Sequence, residues 1–287
     1  MLWSARLPLC CPRTRKRDQP GNLREKMRNH PKYGREFSKD YTRYLAEPGM
    51  TVCFGDNTAA LPVPTLVKSR RVGDKNGILL PLNRKRHWSI TPKHVAAQDV
   101  PWEKKQMSVV WRGSTTGKSR TEDYDRHPRT QLVRRWFGQG DQGIDVGYSQ
   151  VVQGKVQDQR YVLGTLSIKE QLRNALIVSV EGNDVASNLK WVLASNSVPV
   201  MPPPRYESWL LESQLQPWVH YVPVRPDFTD LGDALEWCRA NPDACERMAK
   251  QGREYVTPFY RDQMKQAYAV VDRYLQKNQQ VGKRRVR

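Results

Sequence analysis

The sequence predicts an α/β fold with a largely parallel sheet. Three observations carry that prediction. Short apolar, β-branched runs alternate with segments whose apolar residues recur at helical spacing. The runs at 50–54 and 175–180 end in turn signals rich in Gly, Asn and Asp. The alternation is more regular in the second half of the chain, the pattern of strand–helix–strand units.

Residues 1–35 are basic, polar and dotted with Pro and Gly, and read as a loose arm. Phe37 to Leu45 reads as a short helix ending before Glu47-Pro48-Gly49. Met50 to Phe54 is the first strand, stopped by Gly55-Asp56-Asn57. Pro64 to Lys68 and Gly77 to Leu80 are two more, the latter followed by the basic run Arg84-Lys-Arg-His-Trp88. Val100-Pro-Trp-Glu-Lys-Lys105 reads as a boundary between two apolar blocks. Ser108 to Trp111 is a strand, His127 to Phe137 a helix, and Ser167 to Arg173 a polar turn or short helix. Ala175 to Val180 reads as a buried strand by its length and β-branching. Glu181-Gly-Asn-Asp184 supplies a turn and a helix cap, with Val185, Leu189, Val192 and Leu193 following at helical spacing. Ser197 to Val200 and Val219 to Val224 are strands; Asp230 and Asn241 are expected to cap two helices. Met264, Ala267, Tyr268, Val271 and Leu275 form one stripe of a last helix.

The 287 residues are enough for about two domains. Apolar residues at 38% and charged residues at 27% are a globular balance and argue against wholesale disorder. No run approaches the roughly 20 apolar residues that span a bilayer. Lys plus Arg is 48 against 29 Asp plus Glu, a net charge of +19 that favours polyanionic partners. The five Cys have no regular spacing and no C-x-x-C pair, so neither a disulfide framework nor a structural zinc site is expected. A reducing, cytosolic setting fits them best. Met1 to Pro12 is too short and too interrupted by Arg and Pro to read as a signal peptide.

Four segments have the composition of a site. Trp111-Arg-Gly-Ser-Thr-Thr-Gly-Lys-Ser119 runs from a strand into small hydroxylated residues, glycines and cations, which suits oxyanions. It is one residue short of a Walker A loop and lacks the helix that follows one. Val180 to Lys190 joins a buried strand to a helix start. There Ser187 and Lys190 add donors to the unpaired backbone N–H groups; an ordinary capped helix has the same pattern. Asp56 follows a strand directly, the place of a catalytic base and equally of an Asx turn. Gln216 to Val224 carries aromatics, His and Pro that suit either a cleft or a core. The five His are scattered, and Asp123-Tyr-Asp125 has the D-x-D spacing of metal-dependent sugar transferases without the apolar strand that precedes it in them.

Trp111-Arg-Gly-Ser-Thr-Thr-Gly117, Glu181 to Trp191, Leu193 to Val198 and Pro217 to Val224 together resemble glycosyltransferase family 90. That family includes bacterial lipopolysaccharide-modifying transferases, fungal capsule-associated proteins and animal protein O-glucosyltransferases. Gly55-Asp-Asn-Thr58 and Pro64 to Arg70 are similar to its bacterial lipopolysaccharide branch. The resemblance implies two Rossmann-like lobes facing a cleft (the GT-B type), parallel sheets flanked by helices, and a metal-independent, inverting transfer from a UDP-sugar. It implies that Arg112, Gly113, Ser114, Thr115, Arg129, Gly182, Ala186, Ser187 and Lys190 approach the donor. It implies Asp56 as the base, although animal members carry Arg-Asp-Tyr/Trp-Pro where this chain has Gly-Asp-Asn-Thr.

The implied organisation is an arm at 1–35, an acceptor-side lobe at 36–105, a donor lobe at 106–258, and a C-terminal helix with a basic tail at 259–287. The expected function is transfer of a sugar from a UDP-sugar to lipopolysaccharide or a related surface glycan, without metal or other cofactor. The expected setting is the cytoplasm, peripheral on the inner membrane, where basic residues meet anionic headgroups. An inactive family member that scaffolds glycan assembly, and a basic nucleic-acid-binding protein, are the alternatives. The latter lacks a helix-turn-helix, zinc-finger or RNP signature, so nucleic acid is not an expected partner.

Overall fold

The computed structural model describes residues 20–47, 49–57, 59–117, 124–153 and 156–285. Residues 1–19 of the basic arm, Lys118, Ser119 and Asp123 of the D-x-D spacing lie outside them.

Two α/β lobes face each other across a cleft. The first is built on short strands: β1 (Gly21–Asn22), β2 (Thr51–Cys53), β3 (Thr65–Val67), β4 (Ser69–Arg71) and β5 (Gly77–Leu79). Its sheet has the order β1-β2-β3-β5, with β2, β3 and β5 parallel and β1 antiparallel on the edge. Helices α1 (Leu23–Asn29) and α2 (Pro31–Asp40) cover one face. Leu23, Phe37 and Tyr41 are buried there against Val52, Phe54 and Leu66. Residues 20–35 are therefore structural parts of this lobe and not a loose arm. The helix expected at 37–45 starts earlier, because Pro31 suits a first helical position, and it ends at Asp40.

Two short helices, α3 (Arg84–His87) and α4 (Pro92–Ala96), lead to the second lobe. Trp88 and Val95 are already buried among second-lobe residues such as Val110 and Ile177, so the packing boundary falls before residue 88 and not at 105. The second lobe has β6 (Gln106–Ser114), α5 (Pro128–Trp136), β7 (Ile144–Gln150), α6 (Ile168–Gln171), β8 (Asn174–Val178), α7 (Leu189–Leu193), β9 (Val198–Met201), β10 (Tyr206–Ser208), β11 (Val222–Pro223), α8 (Leu231–Ala240) and α9 (Pro242–Tyr260). Five of these strands make one all-parallel sheet of order β11-β9-β8-β6-β7. Burial on both faces explains the unbroken apolar runs. Val109, Trp111, Leu176 and Val178 point to one face and pack with α5 and α8; Val110 and Ile177 point to the other and pack with α7 and Val256 of α9.

Asp230 and Asn241 stand before α8 and α9 but make no side-chain cap. Asp230 instead accepts from the Arg225 N–H at 2.9 Å, and the Asn241 amide donates to the Trp237 carbonyl at 2.8 Å.

The last helix, α10 (Gln263–Arg285), returns to the first lobe. Ala267 and Val271 are fully buried against α2 and the first sheet. The Tyr274 hydroxyl accepts from the Thr51 N–H at 3.0 Å, and the Tyr44 hydroxyl donates to Asp272 at 2.7 Å. A second seam joins the lobes: β4 pairs antiparallel with β10, and Arg70 meets Glu207 at 2.8 Å.

Candidate active site

The cleft is lined by residues that follow the carboxyl ends of parallel strands in both lobes, the position where open α/β sheets bind ligands. The first lobe contributes Asp56, just after β2, and Arg86 and His87 of α3, just after β5. The second contributes Trp111 to Ser114 at the end of β6, Thr116, Arg129 of α5, and Gly182 to Val185, Ser187 and Asn188 beyond β8.

Asp56 is tied to the opposite wall. Its Oδ1 pairs with Lys68 Nζ at 2.8 Å, and its Oδ2 accepts from Asn183 Nδ2 at 2.9 Å. Lys68 also pairs with Asp184 at 2.5 Å, and Ser69 Oγ donates to the same Asp184 oxygen at 2.5 Å. One buried ammonium thus holds two carboxylates, the half-buried Asp56 and the buried Asp184, one from each lobe. Burial works against the charge on Asp56, but Lys68, Asn183 and Arg86 outweigh it and hold its carboxyl well below the usual carboxylate range. Burial likewise opposes the Lys68 charge, and Asp184 and Asp56 overcome it, so Lys68 is held above the usual lysine value.

Asp184 is therefore not a helix cap. Lys68 and Ser69 draw its carboxylate into the seam, and α7 starts only at Leu189, after an irregular turn. The cleft has a loop here where the sequence suggested a helix N-terminus.

The two second-lobe arginines differ. Arg129 is buried and meets only neutral oxygens: Nη1 donates to the Ser114 carbonyl at 2.7 Å and Thr116 Oγ1 at 2.8 Å, Nη2 to the Val180 carbonyl at 3.0 Å, and Nε to the Glu181 carbonyl at 3.1 Å. Four of its five N–H groups are committed, so it fastens the two second-lobe loops together as a fixed cation. Burial pushes its pKa down to about 10, leaving it charged at neutral pH. Arg112 also lines the cleft, but Nη2 meets both carboxylate oxygens of Asp145, at 2.8 and 2.9 Å, so its charge is already met. Arg86 is exposed on the first-lobe rim, and its side chain has no ion pair or hydrogen bond among the described residues.

Gly117 and Gly182 lie back to back where the loops touch. Gly117 has φ +96°, and a Cβ there would stand 2.4 Å from the Gly182 carbonyl oxygen. A Cβ on Gly182 would come within 2.9 Å of Arg129 Nη2. The Gly117 N–H is bound by Asn183 Oδ1 at 2.8 Å.

Of the residues singled out in the sequence, Asp56, Arg112, Gly113, Ser114, Arg129, Gly182 and Ser187 are brought together on the cleft. Thr115, Ala186 and Lys190 are not. Thr115 is buried and its hydroxyl accepts from the Val152 and Gln153 N–H groups at 2.8 and 3.1 Å. Ala186 belongs to the second-lobe core. Lys190 is 1% exposed, with Nζ 3.5 Å from Glu212 and over the Trp88 ring. All of α7 is buried, so a side chain on it reaches core and not ligand. Glu181 has its carboxylate on Arg205 and on the Arg205 and Tyr206 N–H groups; burial raises its pKa against these partners. The segment 216–224 does not line the cleft: Tyr221 is core and Trp218 is exposed away from it.

Arg86 and His87 line the cleft without having stood out in the sequence, and Thr116, Asn183 and Asn188 do so from within the singled-out segments without having been assigned to the donor. The signal for Arg86 and His87 was available. They follow the strand at 77–79 much as Asp56 follows the strand at 51–53. Among the described residues, no group of three or more His, Cys, Asp or Glu is placed to hold a metal ion.

The sequence model described as "Glycosyl transferase family 90" matches residues 80–280. The chain belongs to glycosyl transferase family 90. It is 34% identical over 229 residues to the O-glucosyltransferase LpsA of Dichelobacter nodosus, covering 78% of this chain and 65% of that protein. It is 30% identical over 222 residues to protein 035R of Invertebrate iridescent virus 3, covering 72% of this chain and 19% of that one. The family 90 chain thus spans a little under two thirds of the bacterial relative's length and about a fifth of the viral one's. The crystal structure of TarM overlaps 62% of this chain and 36% of its own at a TM-score of 0.39 and 13% identity.

Proposed function

We propose that the protein is an inverting, metal-independent glycosyltransferase that moves a sugar from a UDP-sugar to lipopolysaccharide or a related surface glycan. The observation that carries this reading is the cleft's asymmetry: an ionised carboxylate, Asp56, on one wall and, on the other, a buried guanidinium, Arg129, with no carboxylate partner among the described residues. Membership of family 90 and the name of the bacterial relative, an O-glucosyltransferase, point the same way and put a glucosyl donor first in a screen.

In this reading the acceptor hydroxyl attacks the anomeric carbon while the bond to the diphosphate breaks. The hydroxyl proton passes to an Asp56 oxygen, and the electron pair leaves on UDP. A carboxylate held well below its usual range is a weak base towards a free alcohol. It suffices here because the attacking oxygen becomes strongly acidic as its new bond to carbon forms. Charge grows on the departing diphosphate, and the Arg129 guanidinium is fixed in advance to meet it; the exposed Arg86 adds a second cation from the other lobe. In this reading the cations take the part that a divalent ion plays in metal-dependent transferases. No helix of the described residues is long and apolar enough to cross a membrane. We assign the protein to the cytoplasmic face of the inner membrane, with the net charge of +19 drawing it to anionic headgroups and phosphorylated acceptors.

The test is nucleotide release from a panel of UDP-sugars with lipopolysaccharide as acceptor, with and without EDTA. Turnover is expected with at least one donor and is expected to survive EDTA. Asp56→Asn keeps size and removes the basic charge. It should lower turnover by roughly 10²–10⁴ while leaving UDP affinity within about threefold. Turnover within about threefold of wild type would remove Asp56 from the base role. UDP binding with no turnover on any acceptor would favour the scaffold alternative.

A further inference from the structure

His87 lies on the cleft beside Asp56, and neither of its ring nitrogens has a hydrogen-bond partner among the described residues, although both are closed off from solvent. A buried polar atom left unpaired costs free energy, and on a residue of a cleft wall a bound molecule can supply the missing partner. The charges around it are known. Lys68 from β3's end, Lys190 from α7 and Arg86 beside it oppose its protonation, and Asp56 favours it. Burial and those cations push its pKa down to about 2.

A neutral imidazole has one N–H and one lone pair. That is a poor match for a phosphate, which needs donors only and already has Arg129 and Arg86 in the same cleft. It is a good match for hydroxyl groups, which both give and accept a hydrogen bond. We infer that His87 is a specificity-determining residue that hydrogen-bonds the hydroxyls of a neutral sugar ring at the reacting end of the cleft. This inference rests on the glycosyltransferase reading. The ring is either the sugar carried by the donor or the acceptor's own, and the experiment separates the two.

The variants are His87→Phe, which keeps a flat ring without nitrogens, and His87→Gln, which restores a donor and an acceptor. Affinity is measured for UDP and for the accepted UDP-sugar, and kcat and KM for donor and acceptor. His87→Phe should leave UDP affinity within about twofold and lower kcat/KM by about 10- to 100-fold, the loss of one or two hydrogen bonds to the bound ring. If the ring is the donor's, the affinity gap between UDP-sugar and UDP narrows; if it is the acceptor's, that gap stays and acceptor KM rises. His87→Gln should recover part of the loss. The ratio of wild-type to His87→Phe kcat/KM should be flat from pH 5 to pH 9, because a group titrating near 2 does not change charge there. In ¹⁵N spectra the wild-type ring should be neutral, and its nitrogen shifts should move with the sugar-bearing ligand but not with UDP. A folded His87→Phe with unchanged affinities and kcat/KM overturns the inference and leaves the enzyme reading standing. So does a loss that falls on UDP itself, which would make His87 a diphosphate contact. A wild-type protein that binds no UDP-sugar overturns both.

Discussion

The second lobe folds from one continuous stretch, with a nine-residue interior strand and helices drawn from its own neighbours in sequence. The first lobe has strands of at most three residues, and its core is completed by residues 20–45 and by α10 from the far end of the chain. Yet the first lobe supplies the carboxylate and the seam that fixes the cleft, through Asp56, Lys68 and Ser69. The difference teaches that a site can depend most on the part of a fold with the least local structure, provided that buried charge holds the part in register. The ways to break that comparison follow, from the largest expected effect to the smallest.

Lys68→Met removes the one cation between Asp56 and Asp184. Breaking a buried pair from one side strands a charge, and the cost should be about 3–5 kcal/mol in urea unfolding at neutral pH. The pH dependence gives the sign. Asp56 has a folded value below its unfolded one, so in the wild type its contribution is present above about pH 4 and is lost as pH falls through the folded value. The variant lacks the ammonium that holds the Asp56 carboxyl down, so the gap between variant and wild type should shrink on acidification. A gap that widens would mean that Lys68 is not their counter-ion.

The two second-lobe arginines should separate next. Arg129→Met removes a cation with no carboxylate partner among the described residues and should weaken UDP binding by about 1.5–3 kcal/mol, the scale of a charged hydrogen bond. Arg112→Met removes a cation already met by Asp145, and should cost less than about 1 kcal/mol of UDP affinity. Titration calorimetry with UDP ranks them, and equal losses would show that Asp145 does not occupy Arg112.

The smallest effect is in the tether of α10. Tyr274→Phe leaves the Thr51 N–H without its partner and should lower stability by about 1 kcal/mol with UDP affinity unchanged. A comparable loss of UDP affinity would mean that the lobes do not divide the work as described.

Local pattern made much of the second lobe legible. Val109, Trp111, Leu176 and Val178 belong to runs long enough to show burial, and the glycines at 117 and 182 mark where chain meets chain. The strand Ile144–Gln150 escaped notice although Ile144, Val146 and Tyr148 alternate with the exposed Asp145, a period-2 signal. Lys190 misled because a cation near a strand end reads as a ligand contact, and only the burial of all of α7 turns it inward. Asp184 misled for the opposite reason: its spacing is that of a cap, and its partners lie more than a hundred residues away.

The sequence by itself determined the α/β class, a largely parallel sheet, the family, and seven of the residues that meet on the cleft. These are carried by periods and motifs a few residues long, where neighbours in sequence are neighbours in space. Tertiary structure alone decided that α10 completes the first lobe, that Lys68 joins Asp56 to Asp184, and that His87 meets the cleft with both nitrogens unpaired. Each of those depends on which distant side chains share a low-dielectric interior, where a charge or a hydrogen bond must find its partner, and no local period records that choice.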